Sequence, residues 1–160
     1  MRAGLVLVLV AALAAGCAVR APLEQRTTQG PTAEEFWLLR VAADAGRSPT
    51  FEERRHWEDS LDARIGEYLR RHPDRANALD VSTFRFLKQV SVGMDREQVL
   101  ILLGPPTSST TDQGAVEQLA RRYWSQMRDS ATEAWEYPLG WRLFFGGAQL
   151  VDIVQYQPPS

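Results

Sequence analysis

The chain has 160 residues, of which 44% are hydrophobic and 24% are charged. This length fits one compact domain and excludes two full-sized ones, and the composition is typical of a globular protein. The formal net charge of −2 lacks the basic excess of a general nucleic-acid-binding protein, so we expect no nucleic-acid partner. The single cysteine excludes an internal disulfide and any zinc site built from several cysteines.

The N-terminus has the features of a signal peptide over residues 1–16. Arg2 supplies a positive charge, and residues 5–15 form an unbroken apolar run. A run of this length suits a signal peptide and is much shorter than the ~20 residues that a membrane-spanning helix needs. The run ends in the small residues Ala14, Ala15 and Gly16 immediately before Cys17, and this junction resembles the lipobox of bacterial lipoproteins. An ordinary secretory signal cleaved near Ala18 is the alternative.

The lipobox resemblance implies that the signal is removed and that the Cys17 thiol is acylated. Two or three acyl chains would hold the protein on a membrane stably, because each buried CH₂ contributes about 0.8 kcal/mol. The next residue is Ala18, not the Asp that resembles an inner-membrane retention signal. We therefore expect a lipid anchor in the outer membrane, with the protein facing the periplasm.

The first part of the mature chain is predicted to be a tether followed by helices. Residues 17–31 are rich in Pro, Gly and polar side chains without apolar periodicity, which indicates a flexible tether. Capping-box patterns then open a helix over 32–45 and a longer amphipathic helix over about 49–72. A third helix is expected over about 75–90, with Phe84 and Leu87 among its apolar positions, so that residues 32–90 form an N-terminal helical region.

The remaining residues, 91–156, are predicted to form an α+β domain. A short apolar helix begins after Asp95 and ends at Gly104. A polar loop and one amphipathic helix make up a helical insertion over 107–130, which we expect to cover one edge of the sheet. Alternating patterns and turn residues then predict three antiparallel strands in a meander, with Gly146–Gly147 as the hairpin turn.

The sequence carries no pattern of a catalytic or cofactor site. His56 and Ser60 are spaced for contact on one helix, but no sharp turn presents the serine as a nucleophile. We expect a non-enzymatic protein without a cofactor or a metal. Seven aromatic residues lie between positions 124 and 156, and most of them are expected to fill the interface between the sheet and its helices. An exposed aromatic patch that binds a protein partner is the alternative.

The order of motifs in the second half resembles the SmpA/OmlA family of outer-membrane lipoproteins, which are BamE-like. The shared pattern is a Gly-Met turn, a short capped helix, a Leu-Gly-x-Pro stop, a Trp-x-Tyr strand, a Phe-containing strand and a closing strand. The residues of this chain that carry the pattern are Gly93, Met94, Val99, Gly104, Pro105, Trp135 and Tyr137.

This resemblance implies a two-layer ααβββ-type fold in which these residues build the scaffold, here with an N-terminal helical extension. It also implies a membrane-anchored protein that binds an envelope protein partner, with the β-barrel assembly machinery or envelope integrity as the specific role. A lipid-anchored ligand-binding or inhibitor module that reuses the same fold is the second hypothesis. A small hydrolase using His56 and Ser60 is the third.

Overall fold

A computed structural model describes residues 22–78 and 81–158, so the predicted signal peptide and Cys17 lie outside the described residues. The described chain is mixed α+β, as the sequence predicts. In chain order, its strands and helices are β1 (Leu23–Thr27), β2 (Gln29–Thr32), α1 (Ala33–Ala45), α2 (Phe51–Arg71), β3 (Gln89–Ser91), α3 (Arg96–Leu103), β4 (Ser108–Thr110), α4 (Gln113–Ala120), α5 (Trp124–Met127), β5 (Glu133–Glu136), β6 (Trp141–Gly146) and β7 (Gln149–Gln157).

The main sheet has five antiparallel strands in the order β1-β7-β6-β5-β4, and β2 and β3 form a separate two-stranded sheet. The predicted meander corresponds to β5, β6 and β7, so the expected three-stranded layout is too small by one strand at each edge. β1 lies within the predicted tether, and so does most of β2, which corrects that prediction from Leu23 onward. β1 escapes sequence analysis because its residues are mostly polar and its pairing with β7 is remote in sequence.

Local capping chemistry explains where three of the predicted helices begin. Thr32, Thr50 and Asp95 each accept a hydrogen bond from the backbone three residues later, and the Glu or Gln at that position caps them in return. The end of α1 at Gly46, in the left-handed conformation, is likewise as expected. These boundaries depend on neighbouring residues alone, which is why sequence patterns reveal them.

The predicted third helix over 75–90 is wrong. The chain instead forms a 3₁₀ turn at Arg75–Asn77, a π-helical turn at Thr83–Leu87 and then β3. Lys88 adopts a left-handed conformation with φ of 50°, which ends the π-helical turn, and its carbonyl accepts from the N–H of Ala33 at 2.8 Å. Pairing of β3 with β2 therefore takes the place of further helix.

Helices cover both faces of the main sheet, which corrects the predicted two-layer arrangement. On one face, α1, α2 and α3 pack in a single core with the sheet residues Leu143, Phe145 and Ile153. The first two helices therefore belong to the domain core and are not an extension. On the other face, α4 and α5 bury Phe144 and Val154. Successive strand residues point to opposite faces, so Phe144 and Phe145 enter different cores.

The predicted insertion has a different structure and a different role from those expected. Its polar loop contributes β4, which pairs with β5 as an edge strand, and its helices cover a face of the sheet instead of an edge. The single predicted helix is broken at Arg121, whose φ is 53°. The Arg121 guanidinium lies over the ring of Tyr156 at 4.0 Å and bonds Glu24 at 3.2 Å, so contacts with β1 and β7 accompany the break.

Candidate functional site

The Gly-Met motif joins the start of α3 to the closing strand of the sheet. Gly93 has a φ of 99°, a conformation that favours glycine, and its N–H donates to the carbonyl of Leu150 at 2.8 Å. The N–H of Leu150 donates in return to the carbonyl of Met94 at 2.7 Å. The Met94 and Val99 side chains are fully buried in the first core. The motif therefore fastens the helix to the sheet.

The other signature residues connect the end of α3 to β5. Gly104 has a φ of 76°, and its carbonyl accepts a hydrogen bond from the Tyr137 hydroxyl at 2.8 Å. Burial raises the pKa of Tyr137 above its ordinary value, and its ring packs edge-on against Phe36 at 5.6 Å. Trp135 is buried beside the ring of Phe145, whereas Pro105 is exposed. These contacts place Gly104, Trp135 and Tyr137 in the packing between α3 and the sheet, whereas no such contact involves Pro105.

A polar network under the start of α3 was not predicted from the sequence. The hydroxyl of Tyr68, on α2, donates to the Asp95 carboxylate at 2.5 Å. The residue that caps α3 therefore also accepts a hydrogen bond from α2. The Arg75 guanidinium donates at 2.9 Å to the Gln98 side chain and at 2.9 Å to the Gly93 carbonyl. Burial, and then the Asp95 hydrogen bond, raise the pKa of Tyr68. The network fixes the orientation of α3 against α2.

The candidate nucleophile and base lie on the surface of α2. His56 and Ser60 are both exposed, and neither is among the residues that line the four depressions described for residues 22–78 and 81–158. The second histidine, His72, caps the end of α2, stacks on Tyr68 at 4.4 Å and lies 3.4 Å from the Glu97 carboxylate. Among residues 22–78 and 81–158, no group of three or more acidic, His or Cys side chains could hold a metal ion.

A polar groove of about 880 Å³ lies beside β1. Its floor includes an ion pair in which the Arg26 guanidinium binds both carboxylate oxygens of Asp152, at 3.0 and 2.9 Å. Asp152 is 3% exposed, and the hydrogen bond with Asp152 raises the pKa of Arg26. The ion pair satisfies the buried Asp152 carboxylate with the guanidinium of Arg26, whose side chain is 43% exposed, so we assign it a structural role. No sequence signal pointed to this groove, because Arg26 falls in the predicted tether.

The aromatic cluster is mostly buried, whereas a different aromatic residue is exposed. Phe144 and Phe145 are fully buried, in agreement with the first interpretation of the cluster. Outside the cluster, Phe86 is 70% exposed and Leu87 is 59% exposed, although Phe84 of the same π-helical turn is fully buried. Sequence periodicity had placed Leu87 on the buried face of a helix.

Two depressions of the surface flank Phe86 and share its ring as a wall. One measures about 620 Å³ and includes Leu69, and the other measures about 220 Å³ and includes Trp57. Charged residues of both signs surround the exposed pair, since acidic side chains line both depressions, and Arg85 lies against the Phe86 ring at 5.3 Å. We call this region the Phe86 surface, defined by Leu69, Arg70, Arg85, Phe86, Leu87 and Lys88.

Comparison with family models, curated proteins and solved structures finds no match to this chain. The SmpA/OmlA resemblance therefore stays a prediction that depends on the quoted motifs. In the described part of the chain, no helix combines the length and apolar character needed to span a membrane.

Proposed function

We propose that this chain is a non-enzymatic lipoprotein of the bacterial outer membrane that faces the periplasm through a lipid anchor on Cys17. Its domain binds another envelope protein, and β-barrel assembly or envelope integrity is the process that it serves. The lipobox-like junction supports the anchor. The contacts of Gly93, Met94, Gly104 and Tyr137 support the SmpA/OmlA resemblance, since these residues carry its motifs and all take part in joining α3 to the sheet.

The exposed Phe86–Leu87 pair carries the binding part of the proposal. Large apolar side chains grouped on a surface mark protein-interaction sites more often than scattered ones do. Phe84 anchors the same turn, because its ring is fully buried and packs edge-on against Tyr68 at 5.3 Å. The pair is therefore displayed by a turn that is fixed to the core, which lowers the ordering cost of binding.

The charges around the pair define the chemistry of the partner. Arg70, Arg85 and Lys88 border it, whereas Asp62 forms an ion pair with Lys88 at 2.8 Å and Glu67 with Arg70. Arg85 contacts the Phe86 ring and adds positive charge next to the apolar pair. Because Asp62 and Glu67 already neutralise Lys88 and Arg70, we expect a partner that presents an apolar side chain with one carboxylate placed near Arg85, since opposite charges at an interface steer association and fix its register.

Site-directed photocrosslinking in cells tests this proposal on the full-length chain. A photoreactive residue at Phe86 should capture a subunit of the β-barrel assembly machinery, and capture should fall when Cys17 is replaced by Ala. Phe51 is the matched control, because it is also an aromatic residue of similar exposure, 73%, at the start of α2. A photoreactive residue there should capture the same subunit much less.

A surface variant provides the second arm of the test. Phe86→Ser with Leu87→Ser should abolish co-purification of the partner and leave the melting temperature nearly unchanged, because both side chains are largely exposed. Recovery of one soluble periplasmic protein instead would favour the ligand-binding or inhibitor module. Equal capture from Phe86 and Phe51, with normal barrel levels in a deletion strain, would contradict the proposal.

A further inference from the structure

The folded domain begins very close to the proposed site of acylation. Because β1 starts at Leu23, five residues separate its first residue from Cys17, where the sequence predicts a longer tether. The six Cα–Cα steps from Cys17 to Leu23 span at most about 20 Å even when the chain is fully extended. A linker of this length allows two orientations of the main sheet. Either the end that contains Leu23 faces the bilayer, or the strands lie parallel to the bilayer surface.

The end of the sheet that contains Leu23 displays apolar side chains. Leu23 pairs with Gln157, and the Gln157 side chain donates to the carbonyl of Leu139 at 3.2 Å, so the two leucines share this end. Leu23 is 42% exposed and Leu139 is 50% exposed. Leu139 has a φ of 59°, a left-handed conformation that is unfavourable for leucine, and the next residue, Gly140, lies against the Tyr156 carbonyl.

The same end carries a positive charge. Arg121 and Arg122 both approach the single carboxylate of Glu24, at 3.2 and 3.8 Å, so the group has a net charge of about +1. Arg122 also donates to the Glu24 carbonyl at 2.7 Å, which fixes it beside β1. Exposed apolar tips next to arginines are the combination found where proteins rest on anionic lipid headgroups.

We propose that this membrane-facing end, consisting of Leu23, Arg121, Arg122 and Leu139, rests on the headgroups of the bilayer that holds the acyl chains of Cys17. The inference depends on the lipid anchor of the proposed function. In this orientation the strands of the sheet run away from the bilayer. β7 spans roughly 27 Å from Gln157 at the membrane-facing end to Gln149, so the β6–β7 hairpin lies at the far end of the sheet from the bilayer.

Probe accessibility in vesicles tests this orientation with the full-length acylated chain. Because Cys17 is the single cysteine and acylation consumes its thiol, one introduced cysteine is the only site for a thiol-reactive fluorophore. Leu139→Cys reports the membrane-facing end, and Ala148→Cys in the exposed hairpin turn is the matched control at the other end of the sheet. Both variants are reconstituted into phosphatidylethanolamine–phosphatidylglycerol vesicles that contain headgroup-labelled quencher lipid.

We expect quenching at position 139 to exceed quenching at position 148 at least threefold. Equal quenching in a chain shown by mass spectrometry to be acylated would overturn the orientation and leave the lipid anchor intact. A chain without acyl groups on Cys17 would overturn the anchor and, with it, this inference. Mass and quenching together therefore separate the two failures.

A charge variant tests the arginines separately. Arg121→Gln with Arg122→Gln should lower quenching at position 139 about twofold in the phosphatidylglycerol vesicles. The same variant should have little effect in vesicles of phosphatidylethanolamine and phosphatidylcholine, where the attraction to anionic headgroups is absent. A circular-dichroism melt of both proteins checks that the fold is kept, and unchanged quenching in the anionic vesicles would overturn the role given to the arginines.

Discussion

Replacing Phe144 by alanine tests whether the main sheet is covered on both faces. Phe144 lies in the core formed with α4 and α5, and Phe145 in the core formed with α1, α2 and α3; both are fully buried. Truncation of a buried phenylalanine costs about 3–5 kcal/mol, from lost burial and from the cavity that remains. We therefore expect Phe144→Ala and Phe145→Ala to lower the free energy of unfolding by similar amounts.

If helices covered only one face of the sheet, the two substitutions would lower the free energy of unfolding by different amounts. One of the two neighbours would then face water, where a substitution changes stability by about 0.5 kcal/mol or less. Urea unfolding of a soluble form that begins at residue 18, followed by circular dichroism, measures both variants, with Phe86→Ala as the control for an exposed phenylalanine. A cost below about 1 kcal/mol for Phe144→Ala, with an unchanged denaturant slope, would refute the three-layer arrangement. If Phe144→Ala does not fold, Phe144→Leu gives a smaller version of the same comparison.

Three further predictions concern single contacts. Gly140→Ala should strongly destabilise the domain, because the added Cβ would lie 1.7 Å from the Tyr156 carbonyl oxygen. Gly66→Ala in α2 is the matched control: its Cβ would meet nothing within 4 Å, so it should stabilise the domain by about 0.5–1 kcal/mol in thermal melts. Tyr137→Phe should cost about 1–3 kcal/mol in urea unfolding, because it leaves the Gly104 carbonyl without its 2.8 Å donor. The Arg47 side chain, and then the Thr50 backbone, lower the pKa of Glu53 from 4.5 to about 2. The start of α2 should therefore lose protection from hydrogen exchange as the pH falls from about 4.5 to 2, and Glu53→Gln should remove this pH dependence.

The parts of the fold that sequence analysis predicted depend on local chemistry. The capping boxes at Thr32, Thr50 and Asp95 and the glycine that ends α3 act over four residues or fewer, so one sequence suffices to find them. The three strands of the meander follow from alternation and from turns with glycine. The hairpin turn is displaced by one residue, since Gly147 and Ala148 connect β6 to β7.

The parts that sequence analysis missed depend on contacts between distant segments. β1 is held by its pairing with β7 and by the ion pair between Arg26 and Asp152, neither of which a polar run reveals. The insertion over 107–130 is amphipathic as predicted, and its residues Val116 and Met127 are buried, but their packing partner on the sheet, Phe144, lies in a later strand. Amphipathicity shows that a helix buries a face and leaves open which surface it covers.

The helix predicted over 75–90 does not form, and the same segment carries Phe86 and Leu87, the exposed apolar pair of the proposed interface. A regular helix there would place Leu87 on the same face as the buried Phe84. The π-helical turn and the left-handed Lys88 instead bury Phe84 and leave Phe86 and Leu87 in solvent. Irregular helical turns and residues with unfavourable backbone angles persist where the surrounding structure holds them, and they occur often at functional sites. The conflict between sequence pattern and structure is thus an independent reason to direct the first crosslinking experiment at Phe86.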